Sequence, residues 1–129
     1  MSESSKEILL SNFAPSEHFK YDSFVGILHE QGIWDQDAFW SLDKALRDLC
    51  RRGKTAGGHP DLVWPVFRIY SYLNVLLRAH SNPNDGYKIR NMNAECFGGW
   101  CERTQLTFEG FMKGEMLGNE MFELGNPKI

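Results

Sequence analysis

The chain has 129 residues, 42% of them hydrophobic and 13% aromatic, with a formal charge of −3. That length bounds it to a single domain over 1–129, and that composition excludes a disordered chain. The acidic balance argues against nucleic-acid binding as its main task. Charge is uneven: residues 1–50 hold nine acids and four bases, whereas 51–100 hold seven bases and three acids. Two electrostatic faces are therefore expected, and an acidic one would suit a basic partner.

No apolar run approaches the roughly 20 residues of a membrane span. MSESSKEILLSNF lacks the basic region and apolar core of a signal peptide, so a cytoplasmic protein with no membrane partner is expected. Three cysteines fit a reducing compartment. Cys96 and Cys101, five apart, match no common zinc spacing and read as small apolar fillers, so neither metal nor cofactor is expected.

In chain order, residues 1–22 read as a short helical start, loosely ordered, that gives way at Ala14-Pro15-Ser16. Ser23 predicts an N-cap for FVGILHEQ, a helix stopped by Gly32. DQDAFWSLDKALRDLCRRG (35–53) is the clearest element. Ala38, Phe39, Leu42, Ala45, Leu46, Leu49 and Cys50 repeat at helical spacing, and Asp43, Lys44, Arg47, Asp48 and Arg51 form an expected solvated face. Asp35 is placed to cap it, with Asp37 in its first turn. GKTAGGHP (53–60) is glycine-rich like a phosphate-binding loop. It follows a helix, however, and Asp48 stands where the first glycine is required.

DLVWPVFRIYSYLNVLLRAH (61–80) is apolar nearly all round, which predicts a central buried helix. Arg68 inside such a helix needs a partner, and a carboxylate from a neighbouring helix is the expected one. SNPNDG (81–86) is a turn in which Gly86 would take positive φ. Its spacing fails the calcium-loop pattern, with Pro83 and Met92 at ligand positions. YKIRN follows as an extended link rather than a paired strand. Asn93 then caps a last helix to about Leu117, with Phe97, Trp100, Cys101, Thr104, Phe108, Phe111 and Met112 inward. The tail brings Met121, Phe122 and Leu124 to dock on the core. The fold expected is all-α, a bundle of four to five helices.

Catalytic sets are sparse. The four histidines are scattered, and no HExxH, GxSxG or glycine-rich βα unit occurs. A Cys50/His80 nucleophile pair has nothing to favour it, so enzymatic activity is not expected. The order of WDQDAFWSLDKAL (34–46), WPVFRIYSYL (64–73), HSNPNDGYKIRNM (80–92) and LTFEGFMKGEM (106–116) resembles a family of small helical immunity proteins. These belong to bacterial polymorphic-toxin and contact-dependent growth inhibition systems, and the likeness is to immunity protein family 41, over residues 20–125. The resemblance implies a protein that binds and neutralises a cognate toxin domain, a nuclease such as an EndoU-type RNase with a basic cleft. Carboxylates would then sit where phosphates bind.

Two surfaces are candidates for toxin binding: Glu30, Trp34, Asp35 and Asp37 at the helix junction, and Glu109, Glu115, Glu120 and Glu123 at the far end. Trp64, Phe67, Arg68, Asn84, Asp85 and Gly86 are expected to build the fold instead. Two rival readings are a helical adaptor for a housekeeping protein and a small ligand-binding domain around Arg68, Tyr70, Tyr72 and His80. The latter requires those side chains to converge on a solvent-filled pocket.

Overall fold

Short polar side chains at Ser4, Ser23, Asp35 and Asn93 cap the starts of four helices. The computed structural model describes residues 4–53, 59–117 and 124–129. Five α-helices run through them: α1 (Ser5–Leu10), α2 (Phe24–Gln31), α3 (Gln36–Gly53), α4 (Val63–Ser81) and α5 (Ala94–Lys113), with a 3₁₀ turn at Pro60–Leu62 leading into α4. The fold is all-α, and the described residues contain no strand.

The N-terminal segment is anchored from Ser4 onward. Ser4 Oγ accepts from Glu7 N–H at 3.1 Å and also donates to the Glu7 carboxylate at 3.0 Å, the two ends of a capping arrangement. α1 packs on α3, burying Leu9 completely, and Ser5 Oγ donates to Asp48 at 2.6 Å. Asn12 then links two helices, its Nδ2 donating to Ile8 O and its Oδ1 accepting from Val25 N–H.

α2 follows its sequence signals closely. Ser23 Oγ accepts from Gly26 N–H at 3.1 Å, and Gly32 ends the helix at φ 64°. Residues 87–91 then clasp its C-terminal end. The Tyr87 hydroxyl donates to Leu28 O, the Arg90 guanidinium to Gln31 O, and Arg90 N–H to Gly32 O. These bonds satisfy carbonyls that a helix end leaves without partners. Asn91 completes the clasp by bonding both the N–H and the C=O of Trp34. The alternation in YKIRN is thus explained without a strand: Ile89 turns inward, and Lys88 and Arg90 turn out.

The core centres on α3 and α5. Trp34, Phe39, Trp40 and Trp100 meet with ring centroids 5.2 to 5.6 Å apart, and Phe24 closes one side. Such contacts add to the burial of large apolar area. α5 begins at Asn93, whose Oδ1 accepts from Cys96 N–H, and stops at Gly114 with φ 91°, one turn short of the expected Leu117. Gly114 takes a left-handed conformation that returns N–H groups to Gly110 O and Phe111 O.

Two expectations fail here. α4 is not buried all round: Pro65, Val66, Ile69, Leu73, Leu76 and Leu77 face the core, but Trp64, Phe67 and Val75 are 59%, 54% and 45% exposed. Its neighbours cover only one side of it. Nor is the polar face of α3 fully solvated, because Asp43 has 0% exposure and Arg47 8%. Asp43 accepts from Arg47 Nε (2.6 Å), Thr107 Oγ1 (2.6 Å) and Asn126 Nδ2 (2.8 Å). Buried Arg103 extends the set, donating to Thr107 Oγ1 and to the carbonyls of Leu117 and Leu124. Burial lowers the Arg103 pKa, opposed by the charge of Asp43. The network ties the C-terminal residues to α3 and α5, with Leu124 packed against the core; Met121 and Phe122 lie outside the described residues.

Candidate functional site

The outer side of α4 is where the structure leaves chemistry facing solvent. Residues 64, 67, 68, 71, 75 and 78 fall on one stripe at helical spacing, and all six are exposed. Trp64 keeps an edge contact to Phe13 (centroids 6.4 Å apart). This stripe divides two concave surfaces.

On one side, α4 and α5 enclose an almost wholly apolar groove of about 280 Å³, floored by Val66, Phe67, Tyr70, Phe108 and Met112 with Glu109 at the rim. Gln105 Nε2 donates to the Glu109 carboxylate at 3.0 Å and holds it at the helix surface. On the other side lies a cleft of about 400 Å³ between α2, α4 and the segment after α1. Phe19 and Tyr21 form an edge-to-face pair on its first wall, centroids 5.4 Å apart. His29 and Glu30 line it from α2, and Arg68, Ile69 and Tyr72 from α4.

Arg68 therefore contradicts the expected internal ion pair. It is exposed, no carboxylate among the described residues lies within ion-pair distance, and its guanidinium carbon sits 5.4 Å from the Tyr72 ring centre. The i,i+4 spacing makes that stacking possible. The Tyr72 hydroxyl is hydrogen-bonded to His29 Nδ1, and burial raises its pKa against the opposing charge of Arg68. Of the side chains in the rival ligand-site reading, Arg68 and Tyr72 share this cleft and the other two do not. Tyr70 turns to the α5 groove, and His80 is used structurally, its Nδ1 accepting from Ile89 N–H while its ring lies against Phe97.

The anticipated acidic surfaces disperse. Glu30 is exposed at the cleft rim, 3.8 Å from His29 Nε2. Trp34 is no surface anchor: it is 1% exposed inside the aromatic cluster, and its Nε1 meets no acceptor among the described residues. Asp35 is committed to capping α3, its Oδ1 accepting from Ala38 N–H at 3.0 Å, whereas exposed Asp37 pairs with Lys128 at 2.9 Å. Glu109 and Glu115 are exposed on and just beyond α5, with Glu115 at 4.0 Å from Lys113. Glu120 and Glu123 lie outside the described residues.

Of the residues expected to build the fold, those on α4 are corrected. Trp64, Phe67 and Arg68 face solvent for the reason given above. Asn84, Asp85 and Gly86 form the expected turn, which is exposed. Asn82 Oδ1 accepts from Asn84 N–H, and Asp85 Oδ1 from Tyr87 N–H. Gly86 is not among the positive-φ glycines, which in the described residues are Gly32 and Gly114.

A third concavity of about 560 Å³ beside α3 brings Lys44, Arg47, Arg51 and Glu115 near buried Cys50. Arg47 and Arg51 are answered by Asp43 and Asp48. Burial raises the Cys50 and Cys101 thiols, keeping both in the weakly nucleophilic protonated form. No group of three His, Cys, Asp or Glu side chains among the described residues is placed to hold a metal ion, and no described helix is long and apolar enough to cross a membrane. No family model, curated protein or solved structure matches this chain.

Proposed function

We propose that this chain is a binding protein of the immunity type, which captures and neutralises a basic toxin domain through the outer face of α4 and the α4–α5 groove. The observation that carries the reading is the exposure of Trp64, Phe67 and Val75 on one helix beside an apolar groove. Large apolar side chains left in water on a shared face mark an interaction surface, and aromatic anchors dominate protein–protein affinity. Glu109 at the groove rim, with a net charge of −3, supplies the complementarity that would speed capture of a cationic partner. The sequence resemblance to immunity protein family 41 supplies the partner class, a nuclease toxin.

The test is co-expression of this chain with the open reading frame immediately upstream in its genome, one partner tagged. A salt-sensitive complex whose partner kills cells alone, and is harmless with this chain present, supports the proposal. Phe67→Ala should then weaken the complex about tenfold or more while leaving the melting temperature nearly unchanged. A stable complex with a housekeeping protein and no protection would replace immunity with an adaptor role. Full affinity in Phe67→Ala and Trp64→Ala would move the interface elsewhere.

A further inference from the structure

We infer that the α2–α4 cleft is a separate binding site for a small aromatic monocarboxylate. Its carboxylate would lie on the Arg68 guanidinium, and its ring would lie against the Phe19–Tyr21 wall. Three features carry this. First, Arg68 holds a full charge on planar donors that no described residue uses for a hydrogen bond or an ion pair. The guanidinium carbon lies 5.4 Å from the Tyr72 ring centre, and Tyr72 is held by its hydroxyl contact with His29, so the charge is kept beside the cleft. Planar donors are matched bidentately by a carboxylate.

Second, the cleft has a volume of about 400 Å³, within the range of small-molecule sites, and the Phe19–Tyr21 ring pair lines it together with Arg68. Third, Glu30 stands at the same rim. The Glu30 carboxylate repels a dianion on Arg68 more than a single negative charge, which favours a monocarboxylate over the phosphate dianion. The site adjoins the proposed partner surface but opens on the other side of α4: Phe67 lines the α5 groove, and Arg68, one residue on, lines the α2 cleft.

The experiment titrates the full-length chain with phenylacetate, acetate and inorganic phosphate, by calorimetry and by heteronuclear NMR. Phenylacetate should saturate, bind more tightly than acetate or phosphate, and shift resonances of Asn12, His29 and Tyr72. Arg68→Met should lower its affinity about ten- to a hundredfold, as expected for loss of a charged hydrogen-bonding partner, with an unchanged melting temperature. Glu30→Gln should strengthen binding severalfold, because a repelling charge is removed. No saturable binding to the unmodified chain, shifts that map elsewhere, equal affinity for phosphate, or full affinity in Arg68→Met would each overturn the assignment. The mapping on the unmodified chain does not depend on how the variants fold.

Discussion

Replacing Asp43 with alanine removes the acceptor shared by Arg47, Thr107 and Asn126, whose donors approach it at 2.6, 2.6 and 2.8 Å. All three donors belong to buried residues, and two of them lie far from α3 in sequence, so water cannot simply replace the carboxylate. Removing one partner of a buried ion pair costs about 3–5 kcal/mol, because the remaining charge stays buried without its counter-ion. For a chain of this size that corresponds to a fall in melting temperature of roughly 10 °C or more. Thermal and urea unfolding of Asp43→Ala should show the loss, with Asp37→Ala as the surface control. Asp37 is exposed and its ion pair with Lys128 lies at the surface, so its loss should stay under about 1 kcal/mol. The double variant Asp43→Ala/Arg47→Ala should lose less than the sum of the two single losses, because both single changes break the same ion pair. Hydrogen exchange should locate the damage at residues 124–126, which the network holds down. A deficit no larger than that of Asp37→Ala would refute the idea that this network organises the C-terminal end.

Glycines give a pair of opposite signs. A Cβ at Gly26 would lie 2.6 and 2.7 Å from the carbonyl oxygens of Tyr21 and Lys20, so Gly26→Ala should destabilise by about 1–3 kcal/mol in urea unfolding. A Cβ at Gly98, inside α5, meets nothing within 4 Å, and Gly98→Ala should stabilise by about 0.5–1 kcal/mol in the same assay. Burial, reinforced by Lys88, holds the His80 pKa below its usual 6.5. The folded state therefore prefers neutral His80; its contribution is full above about pH 6.5 and is lost as pH falls through the lowered value. His80→Asn, which keeps an acceptor for Ile89 N–H, should flatten that part of a melting-temperature-versus-pH curve; an unchanged slope would show that His80 is not its source. Phe67→Ser should leave the unfolding midpoint within about 0.5 kcal/mol of the parent, since half the ring is already in water.

Much of the helical framework is legible in the chain itself, since the signals are local. Ser23, Asp35 and Asn93 each accept a backbone N–H three residues on, and Gly32 turns left-handed where the α2 pattern stops. Capping needs only neighbours in sequence, and the apolar repeat of α3 needs only helical geometry. What periodicity could not decide is which faces become covered. Asp43 lies on the polar side of α3, yet α5 and the C-terminal segment close over it, because Thr107 and Asn126 supply the bonds that make its burial tolerable. α4 is apolar nearly all round, yet its neighbours cover one side only, and that shortage of partners puts Trp64 and Phe67 in water. Trp34 went the other way, into the aromatic cluster, because Asn91 fixes the backbone on both sides of it. The cleft at Arg68 joins residues from three segments, Phe19 and Tyr21, His29 and Glu30, and Arg68 and Tyr72. Sequence by itself determined where helices begin and which of their faces are apolar, because capping and periodicity act between near neighbours. Only tertiary packing decided which of those faces meet one another and which meet solvent, since that depends on how many partners the rest of the chain can bring.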